Sequence, residues 1–282
     1  MKKIVLLAIF IVAIVCQEAS KATPIFWKIE AEKPVYLLGT IHLGVDAAKE
    51  FPAEVWENLQ KCKTLVLEID MSNVNQFAMM TKMQLPPGKT LDQLLGADYW
   101  SKFQEFVKPQ PAALFKGFKP WVVQSIAAQK FMPLTPAVEM TLMEKANKSG
   151  IKIEALETMD DQLEAIDSVP EEEHVKSIKR MLDDTEGARK ETLDLLNAYR
   201  SGDLGKIKKM ALESEEAKEA PGMIEHVMVN RNKKWIPAIE KYIAKGNVFI
   251  AVGAAHFVGD NGVIKLLEAK GYKITRIEYT QE

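Results

Sequence analysis

The sequence predicts an α/β fold: a mixed sheet built from N- and C-terminal strands and flanked by helices, with a large central helical section. Three observations carry this. Short apolar β-type runs gather near the two ends of the chain, at 24–38, 64–69 and 247–279, with one more at 151–156. Helical spacing and helix-breaking prolines fill most of 72–244. A strand, helix, strand order with short links over 35–69 calls for at least some parallel pairing.

The elements follow in order. Pro24 to Glu30 alternates Ile25, Trp27 and Ile29, the period of a half-buried strand. Ala31-Glu32-Lys33-Pro34 is a turn, and Val35 to Leu38 returns as an apolar strand ending at Gly39, so the two form a hairpin. Asp46 to Lys61 reads as one helix, with Val55, Leu59 and Cys62 at helical spacing, and Thr64 to Ile69 as a buried strand. From Ser72 to Met132 the text is helical, broken at Pro86-Pro87-Gly88, Pro109 and Pro120. Pro136 to Lys148 is a helix that stops at Gly150, and Ile151 to Leu156 is a strand. Helices return over 159–244 with interruptions near Pro170, Gly202 and Pro221. Glu171-Glu172-Glu173 after Pro170 reads as the charged first turn of a helix, where carboxylates suit the positive end of the dipole. Asn247 to Val252 is a strand, Asp260 to Ala269 a helix closed by Gly271, and Tyr272 to Tyr279 a last strand. No Pro/Gly/Ser-rich linker divides the chain, so residues 23–282 are expected to form one domain with a helical insertion.

Residues 1–22 read as a signal peptide. Lys2 and Lys3 form a basic start, Ile4 to Val15 an apolar run, and Ser20-Lys21-Ala22 a small-residue cleavage site. The run is too short to span a bilayer, which takes about 20 residues. Cys16 raises lipidation, but Val15 before it is not the small residue that lipoprotein signals want, so plain cleavage after Ala22 is favoured. The expected location is therefore extracytoplasmic, periplasmic or secreted. Cleavage takes the net charge from −2 to −4 by removing Lys2, Lys3, Lys21 and Glu18, and a mildly acidic chain argues against nucleic acid as a partner. Cys62 is then the one cysteine left, so no internal disulfide forms, and its apolar neighbours Leu59 and Leu65 mark it as a core residue.

Two of the four histidines sit in the same local sentence. Val35-Tyr36-Leu37-Leu38-Gly39-Thr40-Ile41-His42 is one; Val248 to Val252 followed by Gly253-Ala254-Ala255-His256 is the other. Each is an apolar strand running into Gly-x-x-His. Glycine permits a sharp turn or a close approach at the strand end, and the rim of an α/β sheet is where ligands bind. Two such loops on neighbouring strands would aim two imidazoles, the commonest metal ligand and a natural general base, at one space. The bland alternative satisfies each ring on a backbone carbonyl.

Glu68, inside Leu65 to Asp70, is a carboxylate in an apolar β run and needs a metal or a buried arginine beside it. Glu157 is similar, or else a cap for the helix starting near Thr158. Arg231 can bind a substrate carboxylate or pair with Glu68 or Glu157, although a solvated helix face is the simpler reading. His174 and His226 lie in charged helical text and are expected to face water. Met79, Met80 and Met83 read as core packing or as an adaptable apolar surface. HExxH, Gly-x-Ser-x-Gly, P-loop and dinucleotide patterns are absent.

Taken together, Tyr36 to Gly44, Leu67-Glu68, Ala155-Leu156-Glu157-Thr158 with Gln162-Leu163, Arg231-Asn232 and Gly253 to His256 resemble the TraB/PrgY/GumN family, related to the Tiki metalloproteases. These islands run in family order across nearly all of residues 23–282. The resemblance implies a divalent-metal site made by His42, Glu68 and His256, with manganese or cobalt favoured and zinc possible. It places Glu157 and Arg231 as candidate catalytic groups and Asn232, Gly39 and Gly253 around them. It implies a hydrolase acting on peptide bonds; other members are described as inhibitors of peptide pheromone signalling. The sequence departs from membrane-bound relatives in showing no C-terminal membrane segment, so nothing that depends on anchoring is carried over. A non-catalytic peptide-, haem- or metal-binding protein, and a metal-free His/Glu hydrolase, are the competing expectations.

Overall fold

The structure, a computed structural model, describes residues 21–279. Most of the segment expected to be a signal peptide, through Ser20 and including Cys16, lies outside the described residues.

Six strands form one sheet in the order β4-β3-β5-β2-β1-β6. They are β1 (Phe26–Ile29), β2 (Val35–Thr40), β3 (Thr64–Leu67), β4 (Lys152–Ala155), β5 (Val248–Gly253) and β6 (Ile274–Arg276). The expected hairpin is present: β1 pairs antiparallel with β2, Trp27 opposite Leu37. β6 adds antiparallel to β1. The remaining pairs are parallel, β2 with β5, β5 with β3, and β3 with β4. β2 and β5 are therefore neighbours although about 210 residues separate them in sequence, with Gly39 beside Val252 and Thr40 beside Gly253. Every residue of β2 and β3 is buried, which explains why these strands read as continuous apolar runs rather than as alternation.

Between β2 and β3 lie α1 (Ala47–Glu50) and α2 (Ala53–Gln60). The single helix expected there is split because Phe51 takes an extended conformation before Pro52, and a residue preceding proline is pushed out of the helical region. Between β3 and β4 come α3 (Gln76–Lys82), α4 (Leu91–Leu95), α5 (Ala97–Phe106), α6 (Pro120–Phe131) and α7 (Val138–Lys148). Pro120 starts α6 at its first turn, where its missing N–H is no loss. Between β4 and β5 come α8 (Met159–Asp167), α9 (Glu171–Asp183), α10 (Thr185–Arg200), α11 (Leu204–Leu212), α12 (Glu215–Glu219), a π-helix over Met223–Asn230 and α13 (Arg231–Lys245). α14 (Val263–Glu268) precedes β6. The acidic run after Pro170 is the first turn of α9, as expected.

The main core wraps the sheet and includes Phe26, Leu37, Leu65, Phe249 and Ile250 with Trp235 and Ile239 of α13. A second cluster, with Leu91, Phe103, Phe115, Val123 and Ile178, holds the helices of the central section. Met79 and Met83 pack beside Trp121 and Leu163, whereas Met80 is exposed. Cys62 is a buried free thiol, and burial pushes it up to about 12, so it is a core residue and no nucleophile. Ala22 is fully buried and its N–H donates to the Glu50 carbonyl, so a cut behind it would remove one packed side chain. His174 does not face water as expected: it is 3% exposed, with Nδ1 at 2.7 Å from Gln124 Oε1. No helix of the described residues is long and apolar enough to cross a membrane.

Candidate active site

The C-terminal ends of the four parallel strands lie on one edge of the sheet, and each leads directly into a candidate residue. β2 leads to His42, β3 to Glu68, β4 to Glu157 and β5 to His256. α13 supplies Arg231 and Asn232 from its first turn. The π-helix before it is a rare, wide-turned geometry that recurs at functional sites; its Val227 carbonyl accepts from Arg231 Nη1 at 3.2 Å.

Arg231 is the hub, and it is buried rather than on a solvated helix face. Its Nη2 donates to Glu68 Oε2 and to Glu157 Oε1, both at 2.6 Å, and its Nε reaches the same Glu157 oxygen at 3.0 Å. Trp235, one turn on, donates its indole N–H to Glu157 Oε2 at 2.8 Å and lays its ring against both the guanidinium and the His256 imidazole. Glu157 is thus a buried anchor for Arg231. The helix cap at this point falls to Thr158, in a capping box with Asp161.

Glu68 is also fixed at its other oxygen: Oε1 accepts from the Gly253 N–H at 2.7 Å, and Gln162 donates to Oε2 at 3.1 Å. Burial raises its carboxyl, but His256, Arg231 and His42 together with the Gly253 N–H outweigh that and hold it well below the usual carboxylate range. Gly253 must be small, since a Cβ there would stand 3.3 Å from Glu68 Oε1 and 3.5 Å from the His256 ring. Gly39 is packed for a different reason, with a Cβ there meeting Ala254 at 3.2 Å.

His256 Nδ1 lies 2.7 Å from Asn232 Oδ1. The Asn232 amide nitrogen donates to the carbonyls of His256 and Asn261, which fixes its oxygen toward the ring and makes Nδ1 the protonated nitrogen. Nε2 is left as the lone-pair nitrogen, 3.3 Å from Arg231 Nη1 and 3.9 Å from Glu68 Oε1. Burial pushes the imidazole down to about 4, with the nearby Arg231 and His42 adding to this against Glu68, so the ring is neutral at pH 7.

His42 is open to solvent, its side chain 71% exposed, and its Nδ1 lies 3.2 Å from Glu139 Oε1. Glu139 first, and more weakly Glu68, raise it to about 9, while partial desolvation by the surrounding chain and Arg231 oppose them. The structure therefore brings Glu68, Glu157, Arg231, Asn232 and His256 into direct contact. His42 joins through charge and has its own carboxylate partner, Glu139. Among the described residues no cluster of three or more His, Cys, Asp or Glu has the closeness to grip a metal ion.

Glu139 and Trp235 were not picked out from sequence. Glu139 had a readable signal: it lies on the buried stripe of α7 with Met143 and Ala146, at i, i+4 and i+7, where a carboxylate is out of place. A cavity of about 960 Å³ lies between α6, α9, α10 and α11, but none of the candidate residues lines it, and the converging polar groups are at the sheet edge instead.

A comparison with known families matches residues 25–276 to the TraB/PrgY/gumN family. The chain belongs to this family. It is 22% identical to a protein of Amphimedon queenslandica named "Metalloprotease TIKI homolog", over 94% of this chain and 64% of that protein. It is 20% identical to human "Metalloprotease TIKI1", over 91% of this chain and 62% of that one, and 21% identical to "Metalloprotease TIKI2" of Xenopus tropicalis. The chain thus spans less than two thirds of the length of these relatives. No solved structure gives a significant match. Within the TraB/PrgY/gumN member described here, the islands that carried the resemblance are the residues gathered at one sheet edge.

The donor chemistry fits a divalent cation. Both histidines have Nδ1 occupied by a side-chain oxygen, Glu139 for one and Asn232 for the other, which leaves Nε2 as the nitrogen for a ligand. The cluster holds three carboxylates, Glu68, Glu139 and Glu157, against the Arg231 guanidinium and a His42 raised to about 9, a net −1 at pH 7 with His256 neutral, and a cation at His42 would displace its Nε2 proton. One of these oxygens, Glu139 Oε2, is buried without a hydrogen-bond partner.

Proposed function

We propose that this protein is an extracytoplasmic metal-dependent hydrolase acting on peptide bonds, with His42, Glu68 and His256 holding a divalent ion, manganese or cobalt before zinc. The observation that carries this is the matched pair of imidazoles, each tethered at Nδ1 and each following Gly-x-x at the end of a parallel strand. The metalloprotease names of the relatives support a peptide or protein substrate. Location rests on the basic, apolar and small-residue pattern of residues 1–22.

The chain's own groups divide the work. Asn232 keeps the proton on His256 Nδ1, so Nε2 presents a lone pair. Glu68 stays ionised under Arg231 and the Gly253 N–H. Arg231, held by Glu157 and Trp235, keeps Nη1 against His256 Nε2, where its positive charge can steady negative charge developing on a substrate oxygen bound beside the ring. A divalent ion, when bound, would polarise the scissile carbonyl and make nearby water more acidic.

A second reading has its own observation. Arg231 Nη1 stands 3.3 Å from His256 Nε2 and Glu68 Oε1 3.9 Å from it, so the guanidinium already supplies the positive charge beside the His/Glu pair that a metal would otherwise bring. Metal analysis of the purified protein beside the His42→Ala/His256→Ala double variant separates the two. Stoichiometric metal in the first and none in the second, with activity lost to chelators, supports the metal reading. Chelator-resistant hydrolysis by metal-free protein supports the other, and a haem ligand would announce itself by visible absorption.

A further inference from the structure

We infer that Glu139 is a positioning residue of the metal site, holding His42 Nδ1 so that Nε2 is the ring nitrogen left for the ion; this rests on the metal reading above. Three observations converge on it. First, Glu139 Oε1 lies 3.2 Å from His42 Nδ1, the geometry of a carboxylate that orients a ligating imidazole. Second, the same oxygen accepts from Thr40 Oγ1 at 2.5 Å, and Thr40 is the last residue of β2. The carboxylate is thereby locked to the strand that carries the Gly39-x-x-His42 loop, although it comes from α7, 97 positions further along the chain. Third, Oε2 is buried with no partner. A desolvated carboxylate oxygen left bare costs free energy, and a cation placed beside it would offset that cost.

The loop needs such a support. His42 is largely exposed, follows no helix, and precedes Gly44 at φ +89°, so its own backbone surroundings do little to hold the ring. His256 differs: it sits in a 3₁₀ turn over Ala254–Phe257, is 4% exposed, and packs against the tilted ring of Trp235. The two histidines thus reach the same tethered state by different means, an amide inside the core for one and a carboxylate on a neighbouring helix for the other.

The test is cobalt(II) titration followed by its visible ligand-field spectrum, on wild type, Glu139→Gln, Glu139→Asp, His42→Ala and the His42→Ala/Glu139→Gln double variant, with thermal melts to confirm folding. The expected result is a loss of cobalt affinity of about 10–100-fold in Glu139→Gln, an altered spectrum, partial recovery in Glu139→Asp, and no further loss when Glu139→Gln is added to His42→Ala. A purely structural carboxylate would lower affinity further in that background, and this overturns the inference. Wild-type affinity and spectrum in Glu139→Gln overturn it too, with the metal reading intact. A wild type that takes up no cobalt overturns both together.

Discussion

Arg231 shares one guanidinium between two buried carboxylates, each within 2.6 Å, and stands beside a neutral histidine. Among the described residues neither carboxylate has another permanent cation in contact with it: Glu157 accepts also from the Trp235 N–H, and Glu68 from an amide and a backbone N–H, with the neutral His256 ring 3.9 Å away. Removing one partner of a buried ion pair leaves the other charge desolvated, which costs about 3–5 kcal/mol. Arg231→Ala is therefore expected to lose stability on that scale, measured by urea denaturation. Arg231→Lys should recover part of it only, because one ammonium cannot reproduce a fork that spans Glu68 and Glu157. An Arg231→Ala protein as stable as wild type would mean that the carboxylates find other partners. The same residue shows why sequence reading misjudged it. Arg231-Asn232-Lys233-Lys234 looks like a solvated helix face, and Lys233 and Lys234 are indeed exposed. What buries Arg231 is Glu68, 163 positions away, and no local pattern reports that.

At the scale of elements, the strands were legible because their apolar runs are local, and the Gly-x-x-His loops because each follows its own strand. Glu139 and Trp235 escaped because their roles come from packing between elements remote in sequence. α9 shows the same limit. Its charged text suggested a wet helix, yet its hydrophobic face buries Ile178 and Leu182 and carries His174 inward with them. Burial first, against weaker pulls from the Ile166 carbonyl and from Glu173, Asp167 and Glu171, depresses the His174 imidazole below its ordinary 6.5. The unfolded chain then binds a proton that the folded chain refuses, so stability falls as pH drops below about 6.5. His256, down at about 4, acts in the same direction. His42, raised to about 9, is protonated in both states below 6.5, so its contribution has already levelled off there. Carboxylates titrate mostly below about 4.5. The melting temperature should therefore decline from pH 6.5 to 5, and His174→Gln should flatten that slope whatever its effect at pH 7.5. An unchanged slope would mean that His174 finds a proton acceptor in the fold.

For the whole molecule, the site lies where elements distant in sequence meet. Four parallel strands drawn from residues 35–253, α7 and α13 each contribute at least one group, so an ion bound there ties the N-terminal strands, the central helices and the C-terminal strand together. The cluster's own groups carry excess negative charge, three carboxylates against Arg231 and a protonated His42, at a largely buried edge. Binding a divalent ion to the folded state alone adds stability by mass action, about 2.7 kcal/mol when the free ion is at a hundred times its dissociation constant. For a chain of this size each kcal/mol moves the midpoint by about 2–4 °C, so saturating manganese or cobalt should raise the melting temperature of chelator-stripped protein by about 5–10 °C. Magnesium, which prefers oxygen ligands and keeps its waters, should do much less at two imidazoles. The His42→Ala/His256→Ala protein should show no metal-dependent rise at all. An equal rise in that variant would locate the ion elsewhere on the acidic surface. No rise in wild type, with hydrolysis persisting in chelator, would assign the chemistry to Arg231, Glu68 and His256 acting without a metal.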